Sequence, residues 1–191
     1  MDTLETRRNI FLQGSTIYLR AFEEADLEGN YKYWFNDAEV TRQMVKGALP
    51  ATKPQLANYY REVVESSTNL ILAIVDNNSN RHIGNIGLHD INYMHQSAEL
   101  GICIGEKPFW GKGIGKGAIA LLCKHAFMQL NLRRIELGVF ASHTSGIRSY
   151  EAAGFKREGL KRSAIYKDGQ WEDIVTMGML KNELNLSLLD D

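Results

Sequence analysis

The sequence predicts one mixed α/β domain, and three observations carry that expectation. The chain has 191 residues, a length that suits a single domain burying roughly 70% of its unfolded surface. Apolar spacing is helical over 23–63 and changes to extended at residue 69. From residue 97 the periodic segments alternate strand, helix, strand, helix, strand.

The elements follow in order. Thr16-Ile17-Tyr18-Leu19-Arg20 alternates with β-branched residues and reads as a first strand. Residues 23–46 carry helical spacing in two pieces, with Leu27, Tyr31 and Trp34 on one face of the first. Thr52 with Pro54 is a helix-start signal, and Leu56, Tyr59, Tyr60 and Val63 continue the stripe. Residues 69–76 and 82–91 are extended, with Asn77-Asn78-Ser79-Asn80 as a turn between them. In the next strand, 97–105, Ala98, Leu100, Ile102 and Ile104 face one way and Glu99, Gly101 and Cys103 the other. A helix is expected at about 113–130, a strand at 134–140 and a helix at 145–153 closed by Gly154. Strands near 155–165 and 171–180 around Lys167-Asp168-Gly169-Gln170 read as a hairpin. No repeat or linker divides the chain, so the domain is placed at 15–182, with tails at 1–14 and 183–191.

Composition excludes several classes. With 22 Lys and Arg against 23 Asp and Glu, the formal charge of −1 gives no basic excess for a nucleic-acid partner. An apolar fraction of 44% with 24% charged residues excludes intrinsic disorder. Cys103 and Cys123 make no disulfide framework, and no Cys-x-x-Cys pair suggests zinc, so no metal is expected. Arg7 and Arg8 precede only three consecutive apolar residues, Ile10-Phe11-Leu12. A signal peptide needs roughly 7–15 and a membrane helix roughly 20, so the expectation is a cytoplasmic protein without a membrane partner.

The most informative stretch runs Ile104-Gly105-Glu106-Lys107-Pro108-Phe109-Trp110-Gly111-Lys112-Gly113-Ile114-Gly115-Lys116-Gly117. A strand ends, a glycine-rich loop follows and a helix begins. Glycines let successive backbone N–H groups turn toward one point, and the helix start adds unpaired donors and its dipole. Such a loop suits a phosphate or pyrophosphate; the plain alternative is a connection without a ligand. A Walker A loop is excluded, because Trp110 stands where its first Gly belongs and Gly117 follows Gly115-Lys116. The dinucleotide pattern Gly-x-Gly-x-x-Gly fails from Gly111, where it ends on Lys116, and from Gly113, where it ends on Ala118.

On these residues the chain resembles the GNAT acetyltransferase superfamily, in its ribosomal-protein N-terminal and spermidine N-acetyltransferase branch. The family's Gln/Arg-x-x-Gly-x-Gly/Ala loop is matched by Trp110-Gly111-Lys112-Gly113-Ile114-Gly115, with Trp110 departing at the first place. Ala98-Glu99-Leu100-Gly101-Ile102, Tyr150-Glu151-Ala152-Ala153-Gly154-Phe155 and Asp168-Gly169-Gln170-Trp171-Glu172-Asp173 extend the match, which covers about Ile17 to Leu180. The resemblance implies a strongly bent, mostly antiparallel mixed sheet, splayed at its middle with acetyl-CoA in the splay and flanked by helices. It also implies an acetyl-CoA-dependent N-acetyltransferase acting on a primary amine by direct attack in a ternary complex. The pantetheine arm would lie along Ile102-Cys103-Ile104, and the pyrophosphate on the amides from Gly111 to Lys116. His143 stands where the family often has Asn, seven residues before Tyr150. Trp34-Phe35-Asn36-Asp37 with Val40 is also similar to nucleotide-amino-sugar acetyltransferases. The acceptor is therefore a protein N-terminus, polyamine or amino sugar, and a homodimer is left open.

Tyr150 is the candidate acid for the departing thiolate: the resemblance implies that it sits beside the CoA sulfur, and a phenol stays protonated at neutral pH; the alternative is a core tyrosine whose hydroxyl reaches backbone. Glu99 is the candidate base, because an acid in an apolar alternating strand is unusual; it could instead hold the acceptor's ammonium or face solvent. His89, Asp90 and His95 could relay protons. Cys103 shares the Glu99 face and raises an acyl-cysteine route, against which stands its fit as a small buried residue. Residues 105–134 hold six basic residues and one acid, Glu106, as befits the phosphates of CoA. Residues 21–40 hold six acids and one base, Lys32, which would draw in a cationic amine or coat a solvated helix. A non-catalytic acyl-CoA-binding or interaction domain is the alternative from another class.

Overall fold

A computed structural model describes residues 9–189. Arg7 and Arg8 lie outside the described residues. Eight strands form one sheet: β1 (Leu12–Gln13), β2 (Ile17–Ala21), β3 (Leu70–Asp76), β4 (His82–Asn92), β5 (Ser97–Ile104), β6 (Arg134–Phe140), β7 (Lys156–Lys167) and β8 (Gln170–Leu180). Their order is β1-β2-β3-β4-β5-β6-β8-β7, antiparallel throughout except between β5 and β6. The helices are α1 (Tyr31–Trp34), α2 (Ala38–Thr41), α3 (Lys53–Glu65), α4 (Ile114–Met128) and α5 (Thr144–Ala153).

Local chemistry accounts for most of these bounds. Thr52 caps α3 by accepting from the Gln55 amide while the Gln55 side chain returns to the Thr52 amide. The β7–β8 turn shrinks to two residues, with Lys167 opposite Gln170. Asp168 and Gly169 both take positive φ, 49° and 82°, the backbone hand that a two-residue hairpin requires. The strands therefore run further toward the turn than side-chain alternation alone suggests.

Three expectations need correction. The two helical pieces expected at 23–46 are a 3-10 turn at Glu24–Glu28 and two one-turn helices, α1 and α2. Asp37 stops α1 from continuing, because its carboxylate accepts from the Glu39 and Val40 amides and starts α2 instead. The first tail is partly strand: Leu12–Gln13 pairs with β2. The second docks: Leu184 and Leu188 pack on the core, and the Asn185 amide donates to the Ala153 carbonyl at 3.0 Å.

Two apolar layers sandwich the N-terminal half of the sheet. On one face, Ala98 and Leu100 of β5 meet Ala118, Ile119, Leu122 and Phe127 of α4 and Ile147 of α5. On the other, Phe22, Tyr31, Trp34, Phe35, Val40, Leu56 and Val63 pack together, with Ile71 and Cys103 beneath them. Asp26 lies buried in this region and receives Arg20 through two bonds of 2.8 and 2.6 Å, with His82 Nδ1 at 3.3 Å. Burial works against the charge of Asp26, but the Arg20 and His82 contacts outweigh it and hold the carboxyl well below the usual range. A depressed carboxyl contributes stability that is present above the unfolded value near 4 and is lost as pH falls through the folded one. Asp26→Asn should therefore cost about 3–5 kcal/mol at neutral pH, the usual cost of leaving one partner of a buried pair unmatched. Denaturant unfolding at neutral and acid pH checks this, with the difference from wild type shrinking on the acid side.

Candidate active site

The site begins where two strands part. β5 and β6 pair in parallel over only three positions, Ser97 with Arg134, Ala98 with Ile135 and Glu99 with Glu136. Beyond them β5 stays with β4 as far as Ile104, while β6 stays with β8 as far as Phe140. The stretch of β5 from Leu100 onward thus has no strand partner on the β6 side among the described residues. An unpaired strand edge offers backbone groups to an extended ligand carrying amides.

The glycine loop closes one end of this gap. Trp110, unexpected at the first loop position, donates its indole N–H to the Ile104 carbonyl at 2.7 Å and ties the loop to the end of β5. Gly111 and Gly113 both take left-handed φ, 73° and 78°, which side chains resist. Gly113 caps α4, and a Cβ there would also lie 3.0 Å from Lys116 Cε. The amides of Ile114, Gly115 and Lys116 start the helix and have no partner within it. Beyond the adjoining backbone, a Cβ built on Gly111, Gly115 or Gly117 would meet open space. Ile114 turns its side chain into the core, 6% exposed, so it offers the ligand its backbone alone. Lys112 and Lys116 pair with no carboxylate among the described residues; Lys112 lies over the Phe109 ring. This set of donors fits a pyrophosphate.

Tyr150 lies on α5 at the core face, its ring 5.8 Å from that of Phe155, edge to face. Burial pushes its hydroxyl up to about 12. That hydroxyl makes no hydrogen bond to a described residue, backbone included. His143 precedes α5 half-buried, its ring lying over Gly146, and burial lowers its pKa.

Glu99 projects from the opposite face of β5. It is exposed and makes no hydrogen bond or ion pair with a described residue. His89 stands across from it on β4, beside Gly101, with its pKa lowered by burial against the pull of Glu99. Asp90 and His95 are exposed on the β4–β5 turn side. Cys103, on the same face, lies under the α1–α3 layer, where burial pushes its thiol up to about 12. The Lys46 ammonium stands over the Phe35 and Tyr59 rings of that layer, at 5.2 and 4.7 Å, and no carboxylate pairs with it among the described residues. Glu99 and Tyr150 thus belong to opposite faces of the sheet, and the parted strands are where the two faces meet. A concavity of about 480 Å³ lies between Glu24–Glu28 and the start of α3.

Four of the six acids at 21–40 are held in ion pairs, Asp26 in the interior and the others at the surface. Asp26 pairs with Arg20, Glu28 with Lys53, and Asp37 and Glu39 with Lys107. The run leaves little free charge to attract an amine. Sequence reasoning also missed a cluster around Glu106, whose signal was its being the one acid among the basic residues of 105–134. No group of three or more metal-ligating side chains is placed to hold an ion, and no helix is long and apolar enough to cross a membrane, among the described residues.

A half-opened sheet beside a glycine-turned helix start is the architecture of an acyl-CoA-dependent transferase. Residues 16–156 match the Acetyltransferase (GNAT) domain, and the chain belongs to that family. It is 30% identical over 176 residues to the "Probable N-acetyltransferase YjcK" of Bacillus subtilis (strain 168), covering 88% of this chain and 96% of the relative. It is 26% identical over 178 residues to the spermidine N(1)-acetyltransferase of Vibrio cholerae, covering 88% and 95%. The crystal structure of spermidine N-acetyltransferase from Vibrio cholerae in complex with CoA and spermine superposes with a TM-score of 0.81, over 88% of this chain and 97% of that one. The chain is an N-acetyltransferase of the GNAT family.

Proposed function

We propose that the acetyl group passes from acetyl-CoA directly to a primary amine in a ternary complex, with Glu99 and Tyr150 serving the two ends of the reaction. The observation that carries this reading is the meeting, at one parting of strands, of the loop amides and an uncommitted Glu99. Bound acetyl-CoA supplies an acyl group activated as a thioester. The amides from Gly111 to Lys116 hold its pyrophosphate, helped by Lys112 and Lys116, and the free edge of Ile102-Cys103-Ile104 pairs with the pantetheine arm. Trp110 keeps the loop against that edge, and His143 offers a neutral imidazole near α5. Glu99 takes the proton that the acceptor's ammonium must lose before its nitrogen can attack. As the new C–N bond forms and the C–S bond breaks, Tyr150 donates to the departing sulfur. A Cys103 thiol raised to about 12 stays protonated at neutral pH and is a poor nucleophile, which favours direct transfer over an acyl-cysteine. Two free cysteines suit a reducing compartment, and the cytoplasm is the proposed location.

The amine is sought among protein N-termini, polyamines and amino sugars. The unpaired Lys46 ammonium beside the Glu99 face argues for including amines that also carry phosphate alongside spermidine. Release of CoA thiol with such a panel tests the reading, and binding of acetyl-CoA without turnover on any amine would instead favour a binding module. In the same assay Glu99→Gln should lower kcat/KM by about 10²-fold, the low end for a positioned base. The loss should be greatest at the acid end of the pH range. A loss equal at every pH would assign Glu99 to holding the ammonium.

A further inference from the structure

The segment leading into the glycine loop is held by a second set of contacts. Trp34 lies on the backbone of Gly105 so closely that a Cβ there would come within 1.9 Å of the indole. The next residue, Glu106, has a side chain only 11% exposed. Its Oε1 accepts from Trp34 Nε1 at 3.0 Å and from Asn30 Nδ2 at 2.9 Å, and its Oε2 from Arg81 Nη2 at 2.5 Å. The amides of Gly105 and Glu106 both donate to the Ile83 carbonyl, at 3.0 and 3.2 Å. Lys107 then pairs with Asp37 and Glu39, each at 2.9 Å. With Trp110 on the Ile104 carbonyl, residues 104–110 form a stem fixed at both ends, and the left-handed Gly111 follows at once.

A buried carboxylate is costly unless its oxygens are matched. Here the donors come from the approach to α1, from α1 itself and from the β3–β4 turn, and converge on the stem of the loop rather than on the core. We propose that Glu106 is a positioning residue for acetyl-CoA: it fixes the stem so that the amides of residues 111–116 stand in their binding arrangement before the ligand arrives. A loop ordered in advance is not ordered at the expense of binding. Because two of the donors lie in or beside α1, the same carboxylate joins the cofactor loop to the α1–α3 layer. The inference rests on reading the loop as the seat of the CoA pyrophosphate.

The test is calorimetric binding of free CoA to the whole protein. Glu106→Gln keeps an oxygen for Trp34 and Asn30 but sets an amide against Arg81. It should weaken CoA about tenfold, equivalent to about 1.4 kcal/mol. Trp34→Phe should weaken CoA as well, and the double variant should be no worse than Glu106→Gln alone, since both act through one stem. Met177→Ala, which opens a cavity at a fully buried position of β8 between β6 and β7, should lower thermal stability yet keep the CoA Kd within about twofold. A general loss of structure would move both readouts in both variants. Wild-type CoA affinity in Glu106→Gln would overturn the inference. Failure of the wild-type protein to bind CoA would instead overturn the loop reading and the inference with it. If Glu106→Gln does not fold, Arg81→Met removes one donor from a half-exposed side chain and should shift the Kd in the same direction; an unchanged Kd there overturns the inference equally.

Discussion

Replacing Tyr150 by Phe is expected to lower kcat about 10²-fold while leaving the Kd for CoA nearly unchanged. The size follows from the chemistry of the acid. Positioned acids contribute between about 10² and 10⁴, and a phenol pushed up to about 12 is a weaker acid than an ordinary thiol near 8.5. Full proton transfer to the sulfur is therefore uphill even once the C–S bond has broken, so the hydroxyl acts mainly by donating a hydrogen bond to the developing thiolate, which places the effect at the low end. The sign of the pH dependence follows as well. A raised pKa keeps the hydroxyl protonated up to about 12, so its ionisation sets no limb of the profile at neutral or moderately alkaline pH. The ratio of wild-type to variant kcat should then be constant between about pH 6 and 9. Steady-state rates and CoA calorimetry decide the matter: undiminished turnover removes Tyr150 from the reaction. A loss confined to CoA affinity makes it a wall of the binding gap.

Gly113→Val should weaken CoA binding by about 10²-fold and also destabilise the unliganded protein by about 1–2 kcal/mol. Both effects come from one angle. Gly113 sits at φ 78° as the cap of α4, and a branched side chain there meets Lys116 as well as its own backbone. Relieving the strain turns the Ile114, Gly115 and Lys116 amides away from their common point, so the anion site is lost with the conformation. Gly115→Ala is the matched control. It lies inside the first turn of α4 with open space at its Cβ, and an Ala at a helical position stabilises by roughly 0.5–1 kcal/mol. The resemblance to the family pattern, which admits Ala at that place, predicts that CoA binding survives. Thermal melts and calorimetry on the two variants should diverge in both readouts. Wild-type CoA affinity in Gly113→Val would sink the loop assignment.

Much of this site was legible in the sequence, but unevenly. The loop and its helix could be read because they rest on short-range pattern, glycines at a strand end and a helical period after them. Glu99 and Tyr150, by contrast, were singled out by alternation along β5 and by resemblance to the family. The glycine count in the same stretch was misleading in part. Gly105 belongs to the glycine-rich run, yet its bareness serves the Trp34 ring, and Gly101 leaves room for His89. The acidic run near the N-terminus read as free charge, whereas its members find Arg20, Lys53 and Lys107 once the chain folds. Trp110 read as a departure from the family loop, and its indole turned out to anchor that loop to Ile104.

By itself, then, the sequence determined the strands and helices from residue 52 onward and where the phosphate-suited turn falls, because hydrogen-bond spacing and side-chain periodicity act over a few residues; the short turns of 24–41 escaped it. Only the tertiary structure decided where β5 and β6 part, that His89 stands across from Glu99, and what holds the loop in place. Those depend on pairings across long separations: Glu106 meets Trp34 across 72 residues and Asn30 across 76. Such contacts form only when the layers close over the sheet, and no local pattern encodes which buried carboxylate will receive which distant donor.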